Sequence, residues 1–206
     1  MKRRNRRQLA GYGLLVLTAS VIGSALVPFS FPYLTKHYRL GKSIRARWRG
    51  AHFIGDDQVQ LQQGHNHCGA AALKMVLAAH GINRSVNELL QRLRMTPEGT
   101  SLLDLRLAAT EAGLPARSWA LGESHLRQLP LPAVAFVGGN HFVVIRRLLD
   151  PRTLEVDDPA IGKLRWPIAA FCRHWKGETL VFGSNWTPMQ TPPEPRRAVS
   201  YVTNNK

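Results

Sequence analysis

A chain of 206 residues has room for one globular domain of ordinary size plus appendages. Its formal charge of +15 invites a nucleic-acid reading, but the charge is unevenly placed. Residues 1–9 carry five basic side chains, 36–49 carry six with no acid, and the stretch from 184 adds a net two. About +2 remains for 50–183, so the globular part is nearly neutral and nucleic acid is not the expected partner.

No charged residue lies between Arg7 and Lys36, and Leu9–Val27 is apolar or small throughout, about the length of a bilayer-spanning helix. The basic start and the small residues Gly23-Ser24-Ala25 also fit a secretory signal. Asn5-Arg6-Arg7-Gln8-Leu9 weakly echoes a twin-arginine signal. Residues 1–34 are therefore read as a signal peptide or a membrane anchor, with one hydrophobic N-terminal helix. The short basic N-terminus is expected to stay in the cytoplasm. That makes the domain periplasmic, either soluble after cleavage or held at the inner membrane.

Residues 35–50 read as a basic connector, solvated or lying on an anionic membrane surface, with Tyr38 and Trp48 as its aromatics. The domain spans 51–183. Cys68 to His80 is helical by pattern, with Ala71, Ala72, Met75, Val76 and Ala79 on one face and Gly81 as the stop. Ser85-Val86-Asn87-Glu88 is a capping box that opens a helix through Leu93. Thr100-Ser101 caps a third, ended by Gly113. Strand signals follow at Ala116–Leu121, Ala133–Val137 and His141–Arg146, then at Thr153–Val156 and Lys163–Trp166 around an Asp-Pro-Ala-Ile-Gly turn. Ile168–Trp175 reads as a helix and Thr179–Phe182 as a closing strand. Helices first and an antiparallel sheet second give an α+β domain. The Pro-rich stretch 184–206 reads as disordered.

Two cysteines, Cys68 and Cys172, are too few for a disulfide framework. Cys68 stands where a loop becomes a helix, and unpaired N–H groups and the helix dipole there favour a thiolate nucleophile. Gly69 and Ala70 are small enough to let a substrate backbone approach. His141 opens an apolar strand after Gly138-Gly139-Asn140 and is the candidate general base. Asp158 is the candidate partner that orients the ring; Asp157 competes, but adjacent strand residues face opposite ways. Gln62 offers an amide donor for an oxyanion, with Gln60 and Gln63 as rivals. His65 and His67 flank the thiol, but a metal site would need further ligands at defined geometry, so no metal and no cofactor are expected.

These residues resemble the peptidase C39 family, the papain-like domains that cleave double-glycine leader peptides of bacteriocin-type substrates. The resemblance rests on Gln62 six residues before Cys68-Gly69-Ala70-Ala71-Ala72-Leu73, on His141-Phe142-Val143-Val144, and on Asp158-Pro159-Ala160-Ile161-Gly162. It implies a papain-like fold, with Cys68 as nucleophile, His141 as base and acid, Asp158 as the orienting carboxylate and Gln62 as the oxyanion donor. Two features depart from the usual pattern: His67 replaces an acidic residue before Cys-Gly, and the domain stands alone behind an export segment. Stand-alone exported members occur beside secretion systems, including those of bacterial functional amyloid. The expected function is a cysteine endopeptidase acting on a secreted protein, Gly-rich or with a double-glycine site, beside membrane secretion machinery. The alternative is a non-catalytic module that holds a secretion substrate near its exporter.

Overall fold

The structure is a computed structural model that describes residues 39–183 and 185–188. The hydrophobic segment within 1–34, residues 35–38 of the connector, and residues 184 and 189–206 of the tail lie outside the described residues.

Seven strands form one sheet: β1 (His52–Gly55), β2 (Ala116–Ala120), β3 (Ala133–Val137), β4 (His141–Asp150), β5 (Thr153–Asp158), β6 (Gly162–Pro167) and β7 (Trp175–Phe182). Their spatial order is β1-β6-β5-β4-β3-β7-β2, and every pairing is antiparallel. Side chains alternate across strands, and the sheet uses both faces. Val134, Phe142, Val144 and Leu180 pack into one core with the helices α2 (Cys68–Ala79), α3 (Val86–Arg92) and α4 (Leu102–Glu111). Ala135, Val143, Ile145 and Val156 face the other way, into a second core with Trp166, Phe171 of α5 (Ile168–His174) and Trp175. This is the α+β, papain-like arrangement that the sequence implied.

The local signals work as expected where they are self-contained. Ser85 accepts from the Glu88 N–H while the Glu88 carboxylate accepts from the Ser85 N–H, closing the capping box of α3. For α4 the cap is Ser101, whose hydroxyl accepts from the Asp104 N–H.

Several elements differ from the sequence reading: the strand β1 and a 3-10 turn at Glu123–Arg127 were not expected, and β5 runs on to Asp158. β4 runs on to Asp150, paired through Thr153 with β5. β7 begins at Trp175 rather than Thr179, because Trp175 pairs with Val137 of β3. Where a basic connector was expected, Arg39–Trp48 forms a helix, α1, that packs its Ala46 into the second core. It is held by Lys42, whose ammonium lies 2.5 Å from Asp56.

Candidate active site

The start of α2, the start of β4 and the end of β5 converge. Cys68 is the first residue of α2 and is 6% exposed. His141 opens β4, and its Nε2 lies 2.8 Å from Oδ1 of Asp158, the last residue of β5. That leaves Nδ1 as the ring nitrogen free to meet the Cys68 thiol, and the two side chains interact closely enough for each to shift the other's proton affinity.

Asp158 is fully buried, so its charge requires compensation. Oδ1 also accepts from the Ala160 N–H at 2.7 Å, and Oδ2 accepts from Arg49 Nη1 at 2.8 Å. Asp157 faces the opposite side, where it pairs with Arg146, so the alternation argument selects the right carboxylate. The turn after Asp158 is packed tightly enough to require Gly162. Its φ is +122°, and a Cβ there would come within 2.7 Å of the Gly55 carbonyl.

Electrostatics follow from this geometry. Burial alone would raise the Cys68 thiol. The hydrogen bond and charge of His141, with the N–H groups of Phe142 and Gly69, outweigh it and hold the thiol below its ordinary value. Burial would likewise discharge His141, but the Asp158 charge and hydrogen bond, aided by Cys68, raise it to about 9. For Asp158, burial is overcome by His141, Arg49 and the Ala160 N–H, and the carboxyl is held down. Cys172 shows the contrast. Burial and the nearby Glu123 push its thiol up to about 11.

The dyad lies between two recesses that share Glu98 and Asn140. On the thiol side, about 360 Å³ is lined by Cys68, Thr100, Phe136, Gly139 and Phe142 among others. On the imidazole side, about 560 Å³ is lined by Gln62, His65, His141 and Ala160, with Lys42, Arg45 and Arg49 of the α1 region as a basic wall. The Thr96–Gly99 turn overhangs both and is tied to the Cys68 loop by Asn66 Nδ2, which donates to the Thr96 carbonyl at 2.8 Å.

Gln62 lines the cleft, and its backbone N–H donates to Pro159 O at 2.8 Å, joining the loop before Cys68 to the turn after Asp158. Its Nε2 donates to the carbonyls of Gly64 and His65 at 2.9 and 3.1 Å, while Oε1 is buried without a partner. Both amide hydrogens are therefore engaged within the loop. Gln60 is occupied elsewhere, by Lys74 and the Leu61 carbonyl, and Gln63 is exposed. The His67 ring packs over Gly64, where any Cβ would lie 2.6 Å from the imidazole. His65 is exposed. Among the described residues, no three His, Cys, Asp or Glu side chains gather as metal ligands. Gly69 has a packing role as well. A Cβ there would meet the Thr100 methyl at 2.5 Å, so glycine lets α2 approach that loop.

Sequence reasoning missed Arg49 and Arg45, which donates to the Ala160 carbonyl at 3.1 Å. Their only signal was membership of an acid-free basic run. We expect Arg49→Met to leave Asp158 Oδ2 without its charged donor and to destabilise the domain by about 1–3 kcal/mol, read by denaturant titration. Losing that cation beside the dyad also favours the protonated imidazole, so the alkaline limb of any activity profile moves up. Arg49→Lys restores most of both; an unchanged limb in Arg49→Met would show that Arg49 does not reach the dyad electrostatically.

A thiol at a helix start, hydrogen-bonded to a strand-borne imidazole backed by a buried carboxylate, on a papain-like α+β fold, defines the class of cysteine peptidase domains. The chain belongs to the peptidase C39 family, whose model matches residues 56–186. It is 33% identical over 146 residues to the probable functional amyloid protease FapD of Pseudomonas aeruginosa, a match covering 64% of each chain. It is 26% identical over 129 residues to the lactococcin-G-processing and transport ATP-binding protein LagD of Lactococcus lactis, covering 60% of this chain and 18% of that one. Less than two thirds of either relative is therefore spanned. Among solved structures, a double glycine motif protease from an AMS/PCAT transporter, in complex with its leader peptide, superposes with a TM-score of 0.58. The two are 28% identical, and the match covers 60% of this chain and 89% of that one. The peptidase domain of Streptococcus ComA, at 24% identity and a TM-score of 0.56, shares the fold.

Proposed function

We infer that the chain is a cysteine endopeptidase that cuts a secreted or exported protein, in support of a secretion or amyloid-export system. The observation that carries this is the His141 imidazole held between Asp158 and the Cys68 thiol at the junction of two recesses. A peptide laid across the junction presents its carbonyl to the Cys68 thiolate, which attacks carbon and forms a tetrahedral oxyanion. The Cys68 N–H stabilises that oxygen, joined by Gln62 Nε2 once one loop carbonyl releases it. His141 then gives its proton to the leaving amine, and it takes one from the water that hydrolyses the thioester. The reading of the partner follows the relatives, one named as a functional amyloid protease and others as bacteriocin-processing transport proteins. Glycine before the scissile bond is the matching specificity, since the double glycine motif protease shares this fold and 28% of its residues. The domain acts in the periplasm, soluble after removal of the N-terminal segment or held by it at the inner membrane.

Mass spectrometry of secreted proteins from cells carrying Cys68→Ala, compared with wild type, tests the proposal. At least one exported protein should retain an uncut N-terminal or internal Gly-containing site in the variant. Identical termini across the whole secreted set would reject a processing role.

A further inference from the structure

Helix α1 is built inside out. Its inward face carries charge: Lys42, 5% exposed, on Asp56, with Arg45 on the Ala160 carbonyl and Arg49, just past its end, on Asp158. Its outward stripe is apolar, with Leu40 at 73%, Ile44 at 41% and Trp48 at 85% exposure, at i, i+4 and i+8. A surface helix of a globular protein ordinarily does the opposite, and an exposed apolar stripe of this kind marks an interaction face. Exposed Arg39 and Arg47 lie on the same helix as this stripe, so the face is apolar and positively charged together.

We propose that this face of α1 lies in the interfacial layer of an anionic lipid bilayer. Leu40, Ile44 and Trp48 enter the headgroup boundary, and Arg39 and Arg47 pair with lipid phosphates. Three observations select lipid over a protein partner. Tryptophan is the side chain most at home at headgroup level, and arginine extends its charge to phosphate while its stem stays in apolar surroundings. The bilayer-length apolar stretch Leu9–Val27 ends eleven residues before Arg39, so the intervening chain spans roughly 40 Å at most. That tether holds α1 at the membrane surface whenever the stretch is retained in the bilayer. Finally, basic residues near an anionic leaflet add to the attraction, and Arg39 and Arg47 are the exposed ones on α1, in a stretch, 36–49, that holds no acid. The inference rests on the membrane-held form of the proposed function.

The test uses the full chain in lipid nanodiscs of phosphatidylcholine and phosphatidylglycerol at roughly 3:1, with lipids brominated at shallow positions as quenchers. The emission of Trp48, taken as wild type minus Trp48→Phe, should fall by about half or more relative to unbrominated discs, since interfacial helices sit within the reach of shallow bromines. Leu40→Ser combined with Ile44→Ser should remove most of that quenching. Such surface changes leave the buried Trp166 and Trp175 as internal reporters of folding. If the chain purifies with the discs and Trp48 is unquenched, the anchor stands and the lipid-facing role of α1 fails. If the chain does not stay with the discs, the membrane-held form fails and the inference with it. A Trp48 blue shift in detergent that grows with protein concentration would assign the face to a second copy and overturn the proposal.

Discussion

Cys68→Ala is expected to lower kcat/KM for a cleavable peptide by a factor on the order of 10⁴ or more, because the covalent route disappears. In the wild type the reacting form is thiolate plus imidazolium, and both ionisations shape the pH profile. The acid limb follows Cys68, whose thiol is held below its ordinary value of 9.0 by His141 and by the Phe142 and Gly69 N–H groups. The alkaline limb follows loss of the His141 proton near pH 9, after which nothing protonates the leaving amine. Activity therefore rises as the thiol ionises, below its ordinary 9.0, and falls through about 9. Alkylation gives an independent check. At pH 7 iodoacetamide should modify Cys68 well before Cys172, whose thiol lies at about 11 through burial and Glu123. Equal labelling rates for the two cysteines would contradict the ion pair.

Asp158 carries the second large effect, and two substitutions separate its roles. Asp158→Ala removes the acceptor for Arg49, His141 and the Ala160 N–H together. Breaking a buried pair on one side costs about 3–5 kcal/mol, and the partial exposure of Arg49 moves the expectation to the lower end of that range. Asp158→Asn keeps the shape but removes the charge that holds the His141 proton. Burial then drives the imidazole neutral at pH 7, the thiol loses its cation, and kcat/KM should fall by roughly 10²–10⁴ with the alkaline limb moving down. The stability profile carries a matching sign. His141 is raised above its ordinary 6.5, so its stabilisation is full below that value and is lost as pH rises through about 9. Asp158 is depressed below 3.8, so its share is present above that value and is lost as pH falls further. In a Cys68→Ala background, where no thiolate offsets it, denaturation followed from pH 6 to 8 should show a decline that is absent once Asp158→Asn is added. Parallel curves would mean that the aspartate does not set the imidazole's proton affinity.

How much of this was legible depended on how local the cause was. The capping box at Ser85, the thiol at a helix start and the opposed faces of Asp157 and Asp158 each depend on periodicity or on residues three or four apart, and each stands as read. The pairing of His141 with Asp158 across 17 residues was also within reach, because neighbouring antiparallel strands carry it. Helix α1 was not. It buries Gly41, Lys42 and Ala46 rather than large apolar residues, and the apolar period it does carry, Leu40, Ile44 and Trp48, faces outward instead of into a core. What holds it are polar contacts at separations of 14, 109 and 115 residues, which exist only after the sheet has formed. The early start of β7 had a similar cause. Gly177 there lies against the Leu121 backbone, where a Cβ would come within 2.5 Å of the carbonyl, and nothing in the local sequence announces that neighbour.

The family's common domain begins at Asp56, yet the counter-ion of its buried aspartate comes from Arg49. A peptide trimmed to the shared region would be a catalytic unit short of one charge, with Oδ2 of Asp158 facing the space Arg49 had filled. Trimming to that region is therefore expected to shift the proton affinity of the imidazole, as Arg49→Met is, because the docking of α1 brings the arginine to Asp158. Undocking α1 would break the polar contacts of Lys42, Arg45 and Arg49, lift Lys42 off the Phe53 ring and expose Gly41 and Ala46. Through one arginine, the docking of α1 and the proton affinity of His141 are coupled.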